Sequence, residues 1–318
     1  MLVSLDDVYA ARDRLAGVAV RTPLLSPSTP PARGPVLIKP ESLQPTGAFK
    51  LRGAYNAVAT IPADRRAAGV VTHSSGNHGR ALAWAARAFG VPAVVVSPDN
   101  VPEVKIAGMR AVGAEVVLVP AAERHEAACR IAAERGAELV PPYDDPRVIA
   151  GQGTVGLEIA ADLPEVSTVL VPIGGGGLIA GVSLVLAELA KTATVIGVEP
   201  ELAADAADSF AAGRRVAWTD EQTAATAAEG VRVPVVGELT WAHIERYVHQ
   251  VVTVTEDEIT AAIGELARSY RVVAEPSGAV APAAALYHAT DLPAGPVVAV
   301  LSGGNAEPQV LADAVRSN

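Results

Sequence analysis

Four short stretches carry residue types that could do chemistry together. In Gln44-Pro45-Thr46-Gly47-Ala48-Phe49-Lys50, a Pro-Thr-Gly turn delivers one lysine behind an aromatic residue. Apolar Leu51, Ala54, Tyr55 and Val58 then recur at helical spacing. The pattern predicts Lys50 at a helix start, where backbone N–H groups and the positive end of the helix dipole disfavour an ammonium. A lysine that loses its proton is a nucleophile towards aldehydes; a solvated lysine at a helix terminus is the alternative. Ser74-Ser75-Gly76-Asn77-His78 lies between a strand and a helix and offers several donors to one small anion such as a carboxylate, although Ser and Asn also cap helices routinely. Gly174-Gly175-Gly176-Gly177 follows a strand and precedes an apolar helix, so the backbone can wrap a phosphate with no side chain in the way. A tight turn needed only for packing is the alternative. The run matches neither G-x-x-x-x-G-K-[ST] nor a dinucleotide fingerprint, which argues against those guests. Finally, Ser302-Gly303-Gly304-Asn305 places a hydroxyl where it can face a ring nitrogen, a weak signal alone because serine and glycine end many strands.

Elements of matching type must position these residues. A first helix is expected over 4–16 with Ser4 as its cap, then a proline-rich connection, a strand at 36–39 and the Lys50 helix up to 61–62. From Gly69 onward, strand, turn and helix alternate. Strands at 70–72, 93–96 and 116–119 and helices at 81–89, 104–112 and 123–135 predict a parallel sheet covered by helices, with Cys129 on a buried stripe. Pro141-Pro142-Tyr143-Asp144-Asp145-Pro146 breaks this run, so residues 69–147 are expected to form a small lobe inserted into a larger one made of 1–68 and 148–318. The larger lobe resumes with a helix after Gly151-Gln152-Gly153, strands at 169–171 and 195–198, a helix capped by Thr255, and a closing strand at 297–301. The fold class is α/β, two lobes with parallel-rich open sheets.

The 318 residues suffice for two such lobes, and a chain 50% hydrophobic but only 19% charged packs into cores. A formal charge of -10 argues against nucleic acid and acidic membrane surfaces as partners and favours small molecules. Cys129 is the single cysteine, so no intrachain disulfide and no cysteine-based zinc site can form, which fits a cytoplasmic setting. The N-terminal residues lack the basic start and apolar run of a signal peptide, and no apolar run is long enough to span a membrane.

In order and spacing, the four stretches resemble the fold type II pyridoxal-phosphate enzymes, whose architecture is that of the tryptophan synthase beta chain, and in particular the threonine/serine dehydratases and serine racemases. The resemblance spans nearly the whole chain, including Val148-Ile149-Ala150-Gly151-Gln152-Gly153-Thr154. It implies that Lys50 holds pyridoxal 5'-phosphate as a Schiff base, Phe49 packs beside the ring, Asn77 bonds the ring hydroxyl, Gly174, Gly175, Gly176 and Gly177 cradle the phosphate, and Ser302 meets the pyridine nitrogen. It further implies that Ser74, Ser75, Asn77 and His78 grip the substrate carboxylate, with Ser75 where racemases carry a second acid/base. Glu199, Ala203 and Asp205 match a divalent cation site. Two carboxylates and a carbonyl suit Mg²⁺ or Ca²⁺, whereas an acidic loop on an acidic protein is the alternative.

The implied activity is α,β-elimination from L-threonine or L-serine, giving a 2-oxo acid and ammonia, in a homodimer. Ser302, a neutral partner, weakens the ring as an electron sink and should favour prompt elimination. Val233, where racemases often carry a polar residue, leans the same way; Pro45 argues against nucleotide activation, and the short tail after Asn305 against isoleucine control. Serine racemase and 3-hydroxyaspartate dehydratase are the rival readings, the latter needing a cation such as His125, Arg124 or Arg232. A non-catalytic binding protein on the same fold is the remote one.

Overall fold

The computed structural model describes residues 1–28, 36–288 and 292–316, so part of the proline-rich connection, residues 29–35, lies outside the described residues. Its strands are β1 (Val36–Pro40), β2 (Val70–His73), β3 (Ala93–Pro98), β4 (Ala114–Val119), β5 (Glu138–Leu139), β6 (Thr168–Pro172), β7 (Thr194–Pro200), β8 (Gln250–Val254) and β9 (Val297–Leu301). Five form one sheet in the order β1-β9-β6-β7-β8, and four form another in the order β4-β3-β2-β5. Every pairing within the two sheets is parallel. The Val- and Ile-rich runs explain this arrangement: every residue of β3 and of β6 is buried, as strands covered by helices on both faces must be.

Ser4 and Thr255 both cap their helices through reciprocal bonds with Asp7 and Glu258, as their spacing predicts. Two expectations need correction. Gly151-Gln152-Gly153 does not precede a helix but lies inside one, Pro146–Asp162, capped by Asp145. Its glycines serve close packing: a Cβ on Gly151 would stand 2.6 Å from the Arg52 carbonyl oxygen. Cys129 is half-buried rather than on the buried stripe, which Ala127, Ala128, Ile131 and Ala132 fill, and its Sγ lies 3.7 Å from His125 Nε2.

A buried charge cluster fixes the turn that carries the lysine. Arg52 donates to Glu41 on the turn preceding Lys50, at 2.7 and 2.9 Å, and to Glu158 of the Pro146–Asp162 helix at 2.7 and 3.0 Å. Lys39 of β1 completes it with a 2.6 Å bond to Glu158. Two cations face two carboxylates here, which offsets the cost of burying each.

Candidate active site

The carboxyl ends of β1, β2, β6 and β9 converge on one cleft of about 830 Å³, lined by Lys50, Ser74, Asn77, the Gly174–Gly177 turn and Ser302. Ligands of open parallel sheets sit at such ends. β1 feeds the lysine turn, and Lys50 opens the helix Lys50–Thr60. That turn is stapled to the end of β9, since Phe49 N–H donates to the Ser302 carbonyl at 3.0 Å and Gly304 N–H to the Gly47 carbonyl at 2.8 Å. Lys50 Nζ donates to the Pro142 carbonyl at 2.7 Å and lies 5.0 Å from the centre of the Phe49 ring. Its pKa is lowered to about 8; burial is the cause, not the helix end. The amine is therefore neutral in a useful fraction of molecules at mildly alkaline pH.

The glycine turn joins β6 to the helix Gly177–Leu189. Gly176 has φ +89°, and a Cβ on Gly175 would stand 2.2 Å from the Tyr143 ring, so side chains are excluded on two counts. Bare N–H groups at the start of a long helix are the right cradle for a phosphate. Ser302 is buried, and its hydroxyl makes one long bond, 3.3 Å, to the Ser277 carbonyl. That leaves it able to turn to a ring nitrogen.

Asn77 opens the helix Asn77–Ala88. Its Nδ2 donates to Glu275 at 2.5 Å and its Oδ1 accepts from Asn305 Nδ2 at 2.8 Å. Ser74 Oγ accepts from Gly76 N–H at 3.2 Å and Gly79 N–H at 3.0 Å; its own O–H remains free to donate. Ser75 is exposed at the cleft. His78 departs from expectation. Burial holds its pKa down to about 3, helped by nearby Lys50, and its Nε2 sits 3.1 Å from the Val140 carbonyl, which can only accept. A neutral ring donating from Nε2 has only a lone pair at Nδ1, so His78 is not a donor to an anion.

Glu199 and Asp205 come together away from this cleft. Glu199, buried on β7, accepts from Ala206 N–H at 3.1 Å and Ala207 N–H at 2.7 Å. Both Asp205 carboxylate oxygens are buried without a partner, and burial pushes its pKa up to about 7. Orphaned oxygens in an acidic pair next to buried Ala203 fit a hard cation.

Three contributors escape sequence reading. Glu275 stands before the helix Pro276–Tyr287 in an Ala-Glu-Pro-Ser-Gly stretch that reads only as a helix start. Tyr143 sits in the connector between sheets, yet its ring backs the glycine turn. Arg80 reaches Asn305 Oδ1 at 2.9 Å.

A lysine with a lowered pKa, a glycine phosphate cradle and a hydroxyl for a ring nitrogen, set at the ends of parallel strands, define an enzyme class built around a phosphorylated aldehyde cofactor. The family of pyridoxal-phosphate dependent enzymes matches residues 16–303, and the chain belongs to it, with the type II fold. It is 42% identical over 308 residues to an L-threonine ammonia-lyase of Thermotoga maritima, covering 96% of this chain and 76% of that protein. An L-threo-3-hydroxyaspartate ammonia-lyase of Saccharomyces cerevisiae is 36% identical, over 95% of this chain and 93% of its own. The solved structure of maize serine racemase superimposes with a TM-score of 0.92 at 34% identity, over 98% of this chain and 97% of that one.

Proposed function

We propose that the chain is an ammonia-lyase that eliminates water from L-threonine and L-serine and releases the 2-oxo acid and ammonia. The observation that carries it is Lys50, its amine half-neutral near pH 8, facing the four-glycine turn in one cleft. Pyridoxal phosphate, when bound, supplies an electron-poor ring that holds the electron pair released from Cα. The chain's own groups do the rest. Gly174, Gly175, Gly176 and Gly177 would hold the phosphate, Ser302 would face the ring nitrogen and Phe49 would pack beside the ring. Ser74, Ser75 and the backbone N–H of Asn77, at the start of its helix, would donate to the substrate carboxylate. Lys50 takes the Cα proton and can return it to the departing β-hydroxyl, which leaves as water; hydrolysis of the resulting enamine gives oxo acid and ammonia. Val233, in the cleft wall, gives the threonine methyl an apolar neighbour.

One observation favours a second substrate. Arg124 lines the cleft and makes no hydrogen bond or ion pair among the described residues, and His73 and His125 stack edge-on nearby at 5.1 Å between centroids. A free guanidinium would suit the second carboxylate of 3-hydroxyaspartate. Arg232 also lines the cleft; its Nε and Nη2 are held on the Thr226 carbonyl, which leaves Nη1 for a ligand. The reading extends to lobes of residues 1–68 with 148–318 and 69–147, to Mg²⁺ or Ca²⁺ at Glu199, Ala203 and Asp205, and to a cytoplasmic homodimer. Among the described residues no helix is long and apolar enough to cross a membrane.

The test is a visible spectrum of the purified protein followed by L-threonine, L-serine and 3-hydroxyaspartate, with oxo acid read by coupled reduction. A cofactor band that vanishes in Lys50→Ala, with oxo acid released by the wild type, is the expected result. A band without oxo acid, but with loss of chirality in the serine pool, would replace the lyase by a racemase through Ser75.

A further inference from the structure

Asn77 is an amide, and an amide can present either an oxygen or an N–H to a ligand. In this chain its sense is fixed from outside. Asn305 Oδ1 accepts from Arg80 Nη1 at 2.9 Å, and an arginine can only donate; Asn305 Nδ2 donates to the Thr46 carbonyl at 2.9 Å, and a carbonyl can only accept. With both ends pinned, the remaining N–H of Asn305 points at Asn77 and demands its oxygen, at 2.8 Å. The Asn77 nitrogen must then face the other way, where Glu275 accepts at 2.5 Å. One Asn77 N–H is left over, on the side chain that lines the cleft.

We propose that Asn305 and Glu275 are positioning residues which, anchored by Arg80 and the Thr46 carbonyl, hold the Asn77 amide as a hydrogen-bond donor to an oxygen on the cofactor ring. This rests on the cofactor reading of the cleft. A donor at that oxygen favours its ionised form. The charged groups facing Glu275 are Lys105 and Glu229, which oppose one another and are themselves ion-paired, so neither overrides the relay.

The polarity makes a signed test possible with near-isosteric changes. In Asn305→Asp the group facing Asn77 no longer donates, so the Asn77 amide turns over and its oxygen meets the Glu275 carboxylate, acceptor against acceptor. In Glu275→Gln the new amide can donate to that turned oxygen. Thermal midpoints are measured at about pH 8.5, where Glu275 is ionised and can only accept, for wild type, N305D, E275Q and the double variant as full chains, with and without added pyridoxal phosphate. The double variant should lose at least about 2 °C less than the sum of the single losses. In the loaded N305D protein, the pH midpoint of the cofactor's spectral transition should rise by about one unit and be unchanged in E275Q. Additive midpoints, or an N305D spectrum with the wild-type transition, would overturn the relay. Failure of wild type to take up any cofactor would instead remove the cofactor reading, while the cycle on the unloaded chain still decides whether the relay exists.

Discussion

Asp205 is costly in the bare protein, and the proposed cation site would turn that cost to use. Its carboxylate is buried beside Glu199 with neither oxygen paired, so ionising it is unfavourable until a cation arrives. Without divalent ions at pH 8, Asp205→Asn should raise the thermal midpoint of the protein; with millimolar Mg²⁺ or Ca²⁺ the order should reverse, because only the wild type is stabilised by binding. Scanning calorimetry in chelator and in each ion decides this. Indifference of both proteins to both ions would remove the metal site. The same scale shows what a sequence leaves legible. Lys50, the four glycines and Ser302 stand in contiguous motifs whose residue types imply their chemistry. Glu275 does not, since its meaning arises only when a residue 198 positions away reaches it. The state of His78 is illegible for a related reason: that it is buried and spends Nε2 on Val140 depends on packing, not on its neighbours in sequence.

At the scale of elements, the connector 141–146 joins the parts of the site. Pro142 accepts from Lys50, Tyr143 packs on the glycine turn, Asp144 caps the helix Glu238–Tyr247 by accepting from Leu239 N–H at 2.9 Å and Thr240 N–H at 3.1 Å, and Asp145 caps the helix Pro146–Asp162. The glycine turn therefore cannot change without moving the connector. Gly175→Ala puts a Cβ 2.2 Å from the Tyr143 ring, and such overpacking costs about 1–3 kcal/mol. Its expected signature is a weaker grip on pyridoxal phosphate in equilibrium dialysis, partly restored by adding Tyr143→Ala; a G175A protein with wild-type affinity would show that the ring yields freely. Periodicity predicted most of the elements around this connector, because strands buried on both faces announce themselves as Val-rich runs. It failed at Gly151-Gln152-Gly153, where glycine inside a helix marks the close approach of other helices and looks the same on paper as a turn.

For the whole molecule, the buried ionisable groups of the two sites set opposing responses to pH. Glu275 and Asp205 have folded pKa values raised to about 7 from 4.5 and 3.8. As pH rises through that window the unfolded chain has already released protons that the folded one retains, so these groups withdraw stability. Lys50 is lowered to about 8 from 10.5, so above pH 8 the unfolded chain holds the extra proton and stability returns. The cofactor-free protein should therefore lose stability, relative to an E275Q/D205N variant, between about pH 4 and 7, as read by urea midpoints across pH. A constant difference between the two proteins would refute it. The sheet order carries a consequence for how this molecule comes into being. Strands β2 to β5 follow one another in the chain, so their sheet can assemble while the ribosome is still at work. By contrast, β1 pairs with β9, Val36 opposite Val297, and must wait for nearly the whole chain to emerge. The lysine turn hangs from β1 and Ser302 from β9, so the nascent protein carries Lys50 as an ordinary solvated ammonium, and its amine becomes a nucleophile only when the late-closing sheet buries it.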